Sequence, residues 1–88
     1  MFKITRVTEA ASTRLIVSGR IGARQLPDLL RFLEAEDDAS NVVLDLTEVS
    51  LVDVDVVQFL LRCEVRGIRL AGCPAYIREW MLREKQFP

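Results

Sequence analysis

The chain has 88 residues, 50% hydrophobic and 28% charged, which bounds it to one small globular domain with a modest core. It contains no histidine, which removes Ser-His-Asp and Cys-His nucleophilic chemistry and every imidazole metal site. Twelve basic against thirteen acidic side chains leave a net charge of −1, so no overall field draws it to nucleic acid or to an anionic membrane.

The charge is unevenly distributed. Residues 1–27 carry +4, residues 28–55 carry −8 and residues 56–88 carry +3. Ten of the twelve cations are arginine. That bias suits recognition of carboxylates on partner surfaces, and a GC-rich coding sequence produces it equally well. No apolar run approaches the ~20 residues that span a bilayer, and no signal-peptide core follows Met1-Phe2-Lys3-Ile4-Thr5, so a cytoplasmic location without membrane insertion is expected. Cys63 and Cys73 are too few and too widely spaced for a disulfide scaffold, a CxxC redox centre or a four-ligand zinc site. They read as reduced, buried thiols.

Phe2 to Val7 and Thr13 to Ser18 are β-rich runs separated by a polar turn and should pair as a hairpin. After Gly19 and Gly22, residues Gln25 to Glu36 place Leu26, Leu29, Leu30 and Leu33 at helical spacing, with Pro27 in the first turn. Val42 to Leu46 is an almost unbroken apolar run, the mark of a strand buried on both faces. Residues 55–66 form a second, strongly apolar helix with Gly67 as its stop signal and Asp55, Gln58, Arg62 and Arg66 as its polar stripe. So much apolar surface predicts covering by more than the sheet. Ile68 to Ala71 is a short strand, and Pro74 opens a third helix through about Lys85, with Tyr76, Ile77, Trp80 and Met81 on its core face. The order is ββαβαβα: an α/β fold with a small, mixed four-stranded sheet and three helices.

The stretch from the third strand through the second helix to the fourth strand has the length of a right-handed crossover, which makes its two strands parallel neighbours. Sites in such sheets lie beyond the carboxyl ends of the strands. Here that edge is Thr47 to Asp55, read as a loop containing Glu48, Asp53 and Asp55. Asp53 or Asp55 can cap the second helix, and the other, with Glu48, would present fixed acid to a basic partner.

The run Val42-Val43-Leu44-Asp45-Leu46-Thr47-Glu48-Val49-Ser50-Leu51-Val52-Asp53, the hydrophobic helix after it and Arg66-Gly67-Ile68-Arg69-Leu70 resemble the STAS domain. That domain is shared by bacterial anti-sigma factor antagonists, sulfate transporter tails and lipid-transport accessory subunits, and has the same ββαβαβα order. The resemblance implies a non-enzymatic protein-binding module without cofactors. Its implied partners are an anti-sigma factor kinase or, as the alternative, the ATPase of a lipid or solute ABC transporter. The antagonists carry Asp-Ser-x-Gly in this loop, and a partner kinase phosphorylates the serine. Asp53 matches the aspartate, but Val54 stands at the serine position and Val56 at the glycine. Valine has no hydroxyl, so the phospho-switch cannot operate there. Ser50 reads as a loop residue bonding its own backbone.

The expected partner-binding residues are thus Glu48, Asp53, Val54, Asp55, Gln58 and Arg62. Asp53-Val54-Asp55-Val56-Val57 also fits the DxDx(T/V) pattern of haloacid-dehalogenase-type phosphatases, but the only lysines are Lys3 and Lys85 and no acidic pair follows residue 55. The stripe Gln58-Arg62-Arg66 reads most simply as a solvated face, Phe32 as completing the core edge, and Tyr76 with Trp80 as packing on the sheet. Asp45, inside an apolar strand, needs a loop N–H or an arginine as partner. Gly19 and Gly22 lack the remainder of a phosphate loop. A homodimer through the second helix or an edge strand is the purely structural alternative.

Overall fold

The computed structural model describes residues 2–36 and 38–86. Strands β1 (Lys3–Thr8) and β2 (Thr13–Ile21) form the expected antiparallel hairpin, in register from Lys3 opposite Ser18 to Thr8 opposite Thr13. A 3-10 turn at Ala23–Gln25 leads into α1 (Leu26–Glu34), and a second one at Ala39–Asn41 leads into β3 (Val42–Val52). Helix α2 (Val54–Val65), strand β4 (Arg69–Ala71) and helix α3 (Ala75–Gln86) complete the chain. The sheet order is β1-β2-β3-β4, with β2, β3 and β4 mutually parallel. The ββαβαβα order and the mixed four-stranded sheet are those expected.

Both crossovers, β2 to β3 and β3 to β4, step in the same direction. Right-handed crossovers that step the same way put their helices on one side of the sheet, and the burial pattern agrees. Leu15, Val17 and Ile21 of β2 and Val42, Leu44, Leu46, Val49 and Val52 of β3 are buried, together with Leu29 and Leu33 of α1 and Val56, Val57, Phe59, Leu60 and Cys63 of α2. Truncating any one of the core leucines to alanine costs about 2–5 kcal/mol. The intervening residues Val43 and Asp45 are only half-buried and Thr47 is exposed. β3 is therefore buried on one face, not two; its apolar run misled because Val43 is a β-branched residue on the open side.

β3 also extends six residues beyond the predicted strand. Its pairing with β2 skips one β3 residue between Ile16 and Ser18 and another between Gly19 and Arg20. Each bulge leaves two consecutive residues outward, Thr47-Glu48 and Ser50-Leu51, which destroys the two-residue period that identifies a strand. Glu48 and Ser50 consequently lie in a strand rather than in a loop.

α2 is packed between the sheet and α3, which accounts for its apolar girth. Gln58 Nε2 donates to Glu84 Oε1 at 2.7 Å and Arg78 Nη1 to Glu64 Oε2 at 2.9 Å, so α2 and α3 run antiparallel. The polar stripe of α2 is thus partly bound to α3 rather than wholly solvated. α2 ends in a Schellman motif: Ile68 N donates to Cys63 O and Gly67 N to Glu64 O, both at 3.0 Å, with Gly67 at φ +92°.

β4 pairs β3 only as far as Asp45, leaving the upper half of β3 without a neighbour on that side. Tyr76 compensates there, its hydroxyl donating to Ser50 O at 2.9 Å. Tyr76 is 44% exposed and so is an edge clasp rather than core; Trp80 is half-buried against the core, as is Phe32, over which Arg6 stacks at 5.4 Å. Leu30, placed on the apolar face by spacing, is exposed at the flank of α1. Among the described residues no helix is long and apolar enough to cross a membrane.

Candidate functional site

The carboxyl ends of β2 and β3 lie side by side, Ile21 opposite Val52, and each strand passes straight into a helical segment. Asp53 links the two. Extended at φ −109° and ψ 179°, it is the N-cap of α2: its Oδ1 accepts from Val56 N at 3.1 Å, and its Oδ2 accepts from Ala23 N at 3.0 Å. The turn on the other side is closed by Gln25, whose Oε1 accepts from Gly22 N at 2.8 Å. Gly22 fits because a Cβ there would stand 3.1 Å from Asp53 Oδ2.

Asp53 is therefore the cap, and Asp55 is left exposed in the first turn of α2, where its charge complements the helix dipole. Val54 is 46% exposed, an unusual position for valine on a helix start. The structure thus brings Asp53, Val54 and Asp55 together at the edge. Gln58 lies a turn behind, held by Glu84, and Arg62 is exposed about 12 Å along the helix from Val54. Glu48 does not join them. It sits opposite Ser18 on β3, roughly 13 Å of strand before Val52.

The same edge holds a feature absent from the predicted set. An open groove of about 930 Å³ lies at the ends of β2 and β3, lined by Arg20, Arg24, Phe2, Leu51, Asp53 and the Gly22–Gln25 turn. The basic N-terminal segment thus shares the edge with the acidic one. The rule that found the β3–α2 junction applies equally to the residues after β2, and would have found Arg24.

Asp45 has both partners considered for it. Thr47 N and Oγ1 donate to its Oδ1 at 3.0 and 2.7 Å, and Arg14 Nη1 donates to its Oδ2 at 2.9 Å. The Thr47 hydrogen bonds, and secondarily Arg14, hold its carboxyl below the usual carboxylate range. This cluster lies on the open sheet face, away from the edge. Burial pushes the Cys63 thiol up to about 11 and raises that of the half-buried Cys73. Neither has the thiolate character of a nucleophile. Among the described residues no three acidic or cysteine side chains converge as metal ligands would.

No family model and no curated protein matches the chain. Among solved structures, the STAS domain of an antisigma-factor antagonist from Rhodobacter sphaeroides is similar with a TM-score of 0.59 and 21% identity, over 81% of this chain and 86% of that one. A crystal structure of Mglu is similar with a TM-score of 0.60 and 20% identity, over 81% of this chain but only 19% of that one. Together with the element order and sheet topology, this likeness shows that the chain has a STAS-like fold.

Proposed function

We propose that this domain is a non-enzymatic protein-interaction module that docks its β3–α2 edge on a regulatory partner, without a serine phospho-switch at position 54. The observation that carries the reading is the double tie of Asp53. With both carboxylate oxygens engaged by backbone N–H groups, the edge is held in one shape, and Val54 and Asp55 stand out from it as fixed apolar and acidic contacts. A preformed surface of this kind loses little conformational entropy on binding. The same ties weigh against a DxD phosphatase, because the first aspartate of that motif has to swing a free oxygen onto phosphorus.

The STAS-like fold supports a partner of the anti-sigma factor type, in line with the name of the similar antagonist, and a kinase-like one is the form we favour. Val54 favours a second reading, in which the domain is an accessory subunit on the ATPase of a lipid or solute ABC transporter and needs no phosphorylatable residue. In either setting the contact set is Asp55 and Val54 at the tip, with Gln58 and Arg62 along α2, and Glu48 only for a partner wide enough to reach back along β3. The test is affinity capture with the wild type beside Asp55→Ala and Arg62→Ala, bound proteins being identified by mass spectrometry. A kinase-like or transporter ATPase kept by the wild type and lost by either variant is expected. Capture unchanged by both variants would refute the docking edge, and phosphate transfer to a serine of this chain by the captured kinase would refute the constitutive mode.

A further inference from the structure

The groove beside the acidic tip has the opposite charge from it. Arg20 and Arg24 both line it, and neither makes an ion pair or a side-chain hydrogen bond among the described residues. By contrast Arg6, Arg14, Arg31 and Arg78 each have a carboxylate partner. The carboxylate within the groove, Asp53, is occupied by Val56 N and Ala23 N and so faces its own backbone donors. Two guanidinium groups without a carboxylate partner therefore line the groove together with Phe2 and the 50% exposed Leu51.

Building on the reading of this edge as a docking surface, we infer that the groove takes an acidic, apolar segment of the protein partner. A carboxylate of that segment is gripped by Arg20 and Arg24 while a neighbouring apolar side chain lies between Phe2 and Leu51. Planar guanidinium forks match carboxylates in paired hydrogen bonds, and the adjoining apolar surface supplies the area that charge alone does not. The groove is open to solvent and offers no buried polar side chain to fix a small molecule, so an extended chain segment suits it better than an enclosed ligand. The partner must then be bipolar: acidic where it meets Arg20 and Arg24, basic where it meets Asp55. Opposite charges in fixed order along one edge set the orientation of docking and reject a partner presented in reverse.

The probe is a fluorescein-labelled decapeptide of alternating Glu and Leu, compared with the same peptide carrying Gln or Lys in place of Glu. Binding is read by fluorescence anisotropy and located by amide NMR shifts. The Glu peptide should bind, shift the amides of residues 22–25 and Leu51, and weaken as salt is raised from about 50 to about 500 mM. The Arg20→Gln, Arg24→Gln double variant, with thermal melting checked against wild type, should weaken it by about tenfold or more. Arg83→Gln, on an exposed arginine of α3, should leave it unchanged. Equal binding of the Gln peptide, shifts confined to another face, or indifference to the double variant would overturn the inference. Asp55→Ala separates the two readings. It should abolish partner capture yet spare peptide binding; a peptide that binds the groove while capture ignores Asp55→Ala and Arg62→Ala would refute the docking edge alone.

Discussion

Asp53 Oδ2 accepts the Ala23 N–H at 3.0 Å across 30 positions of sequence, while its Oδ1 caps α2. One carboxylate thus fastens the starts of two helical segments. Asp53→Ala should destabilise the fold by about 2–5 kcal/mol, the sum of a lost cap and a lost charge-assisted hydrogen bond. Urea unfolding measures this, and amide exchange should quicken most at Ala23 and Val56. A loss no greater than that of Asp55→Ala would mean that the link carries no weight.

Gly72 follows β4 at φ +63°, and a Cβ there would collide with Thr47 Oγ1. Gly72→Ala meets both backbone strain and a collision, and should cost about 1–3 kcal/mol. Because Thr47 Oγ1 also donates to Asp45, the collision disturbs that cluster as well. Adding Thr47→Ala should recover part of the loss in a double-mutant cycle; strictly additive losses would point to backbone strain alone.

The order of elements was legible because each helix carries its own period and punctuation: Pro27 near the start of α1, Gly67 after α2, Pro74 before α3. The second half of β3 was not. Two bulges place Thr47-Glu48 and Ser50-Leu51 on one side in succession, and a sequence read for alternation sees a polar loop. Asp53 and Asp55 were visible as cap and companion without an order between them; the Asp53–Val56 bond sets that order, and the second tie of Asp53 to Ala23 is a contact that no local pattern records. Arg20 and Arg24 were hidden for the same reason, since only the parallel pairing of β2 with β3 brings them to the acidic edge.

Asp45 makes stability depend on acid in a defined direction. Its carboxyl titrates below the ordinary value in the folded chain because Thr47, and then Arg14, donate to the ionised form. The unfolded chain takes up the proton first, near about 3.9. The stabilisation is therefore complete above that value and is lost as pH falls through the lower native one. Asp45→Asn should flatten the acid limb of unfolding free energy against pH without abolishing it, because Asp38, bonded by Ser40, is lowered in the same direction. Parallel limbs for variant and wild type would contradict the assignment.

The two thiols should separate kinetically. At about pH 8 a group with its pKa near 11, as burial gives Cys63, is thiolate in about one molecule per thousand and is shielded as well. With Ellman's reagent the native protein should show one accessible thiol, removed by Cys73→Ser, and a second only when urea unfolds the chain. Rapid reaction of both in the native state would show that α2 opens readily from the sheet.

The one-sided placement of the helices has a geometric outcome. The Cα framework measures 36 × 27 × 22 Å, with the helices gathered on one side of the sheet. Among the described residues, the sheet face that carries Arg14, Asp45 and Thr47 is left without a covering helix.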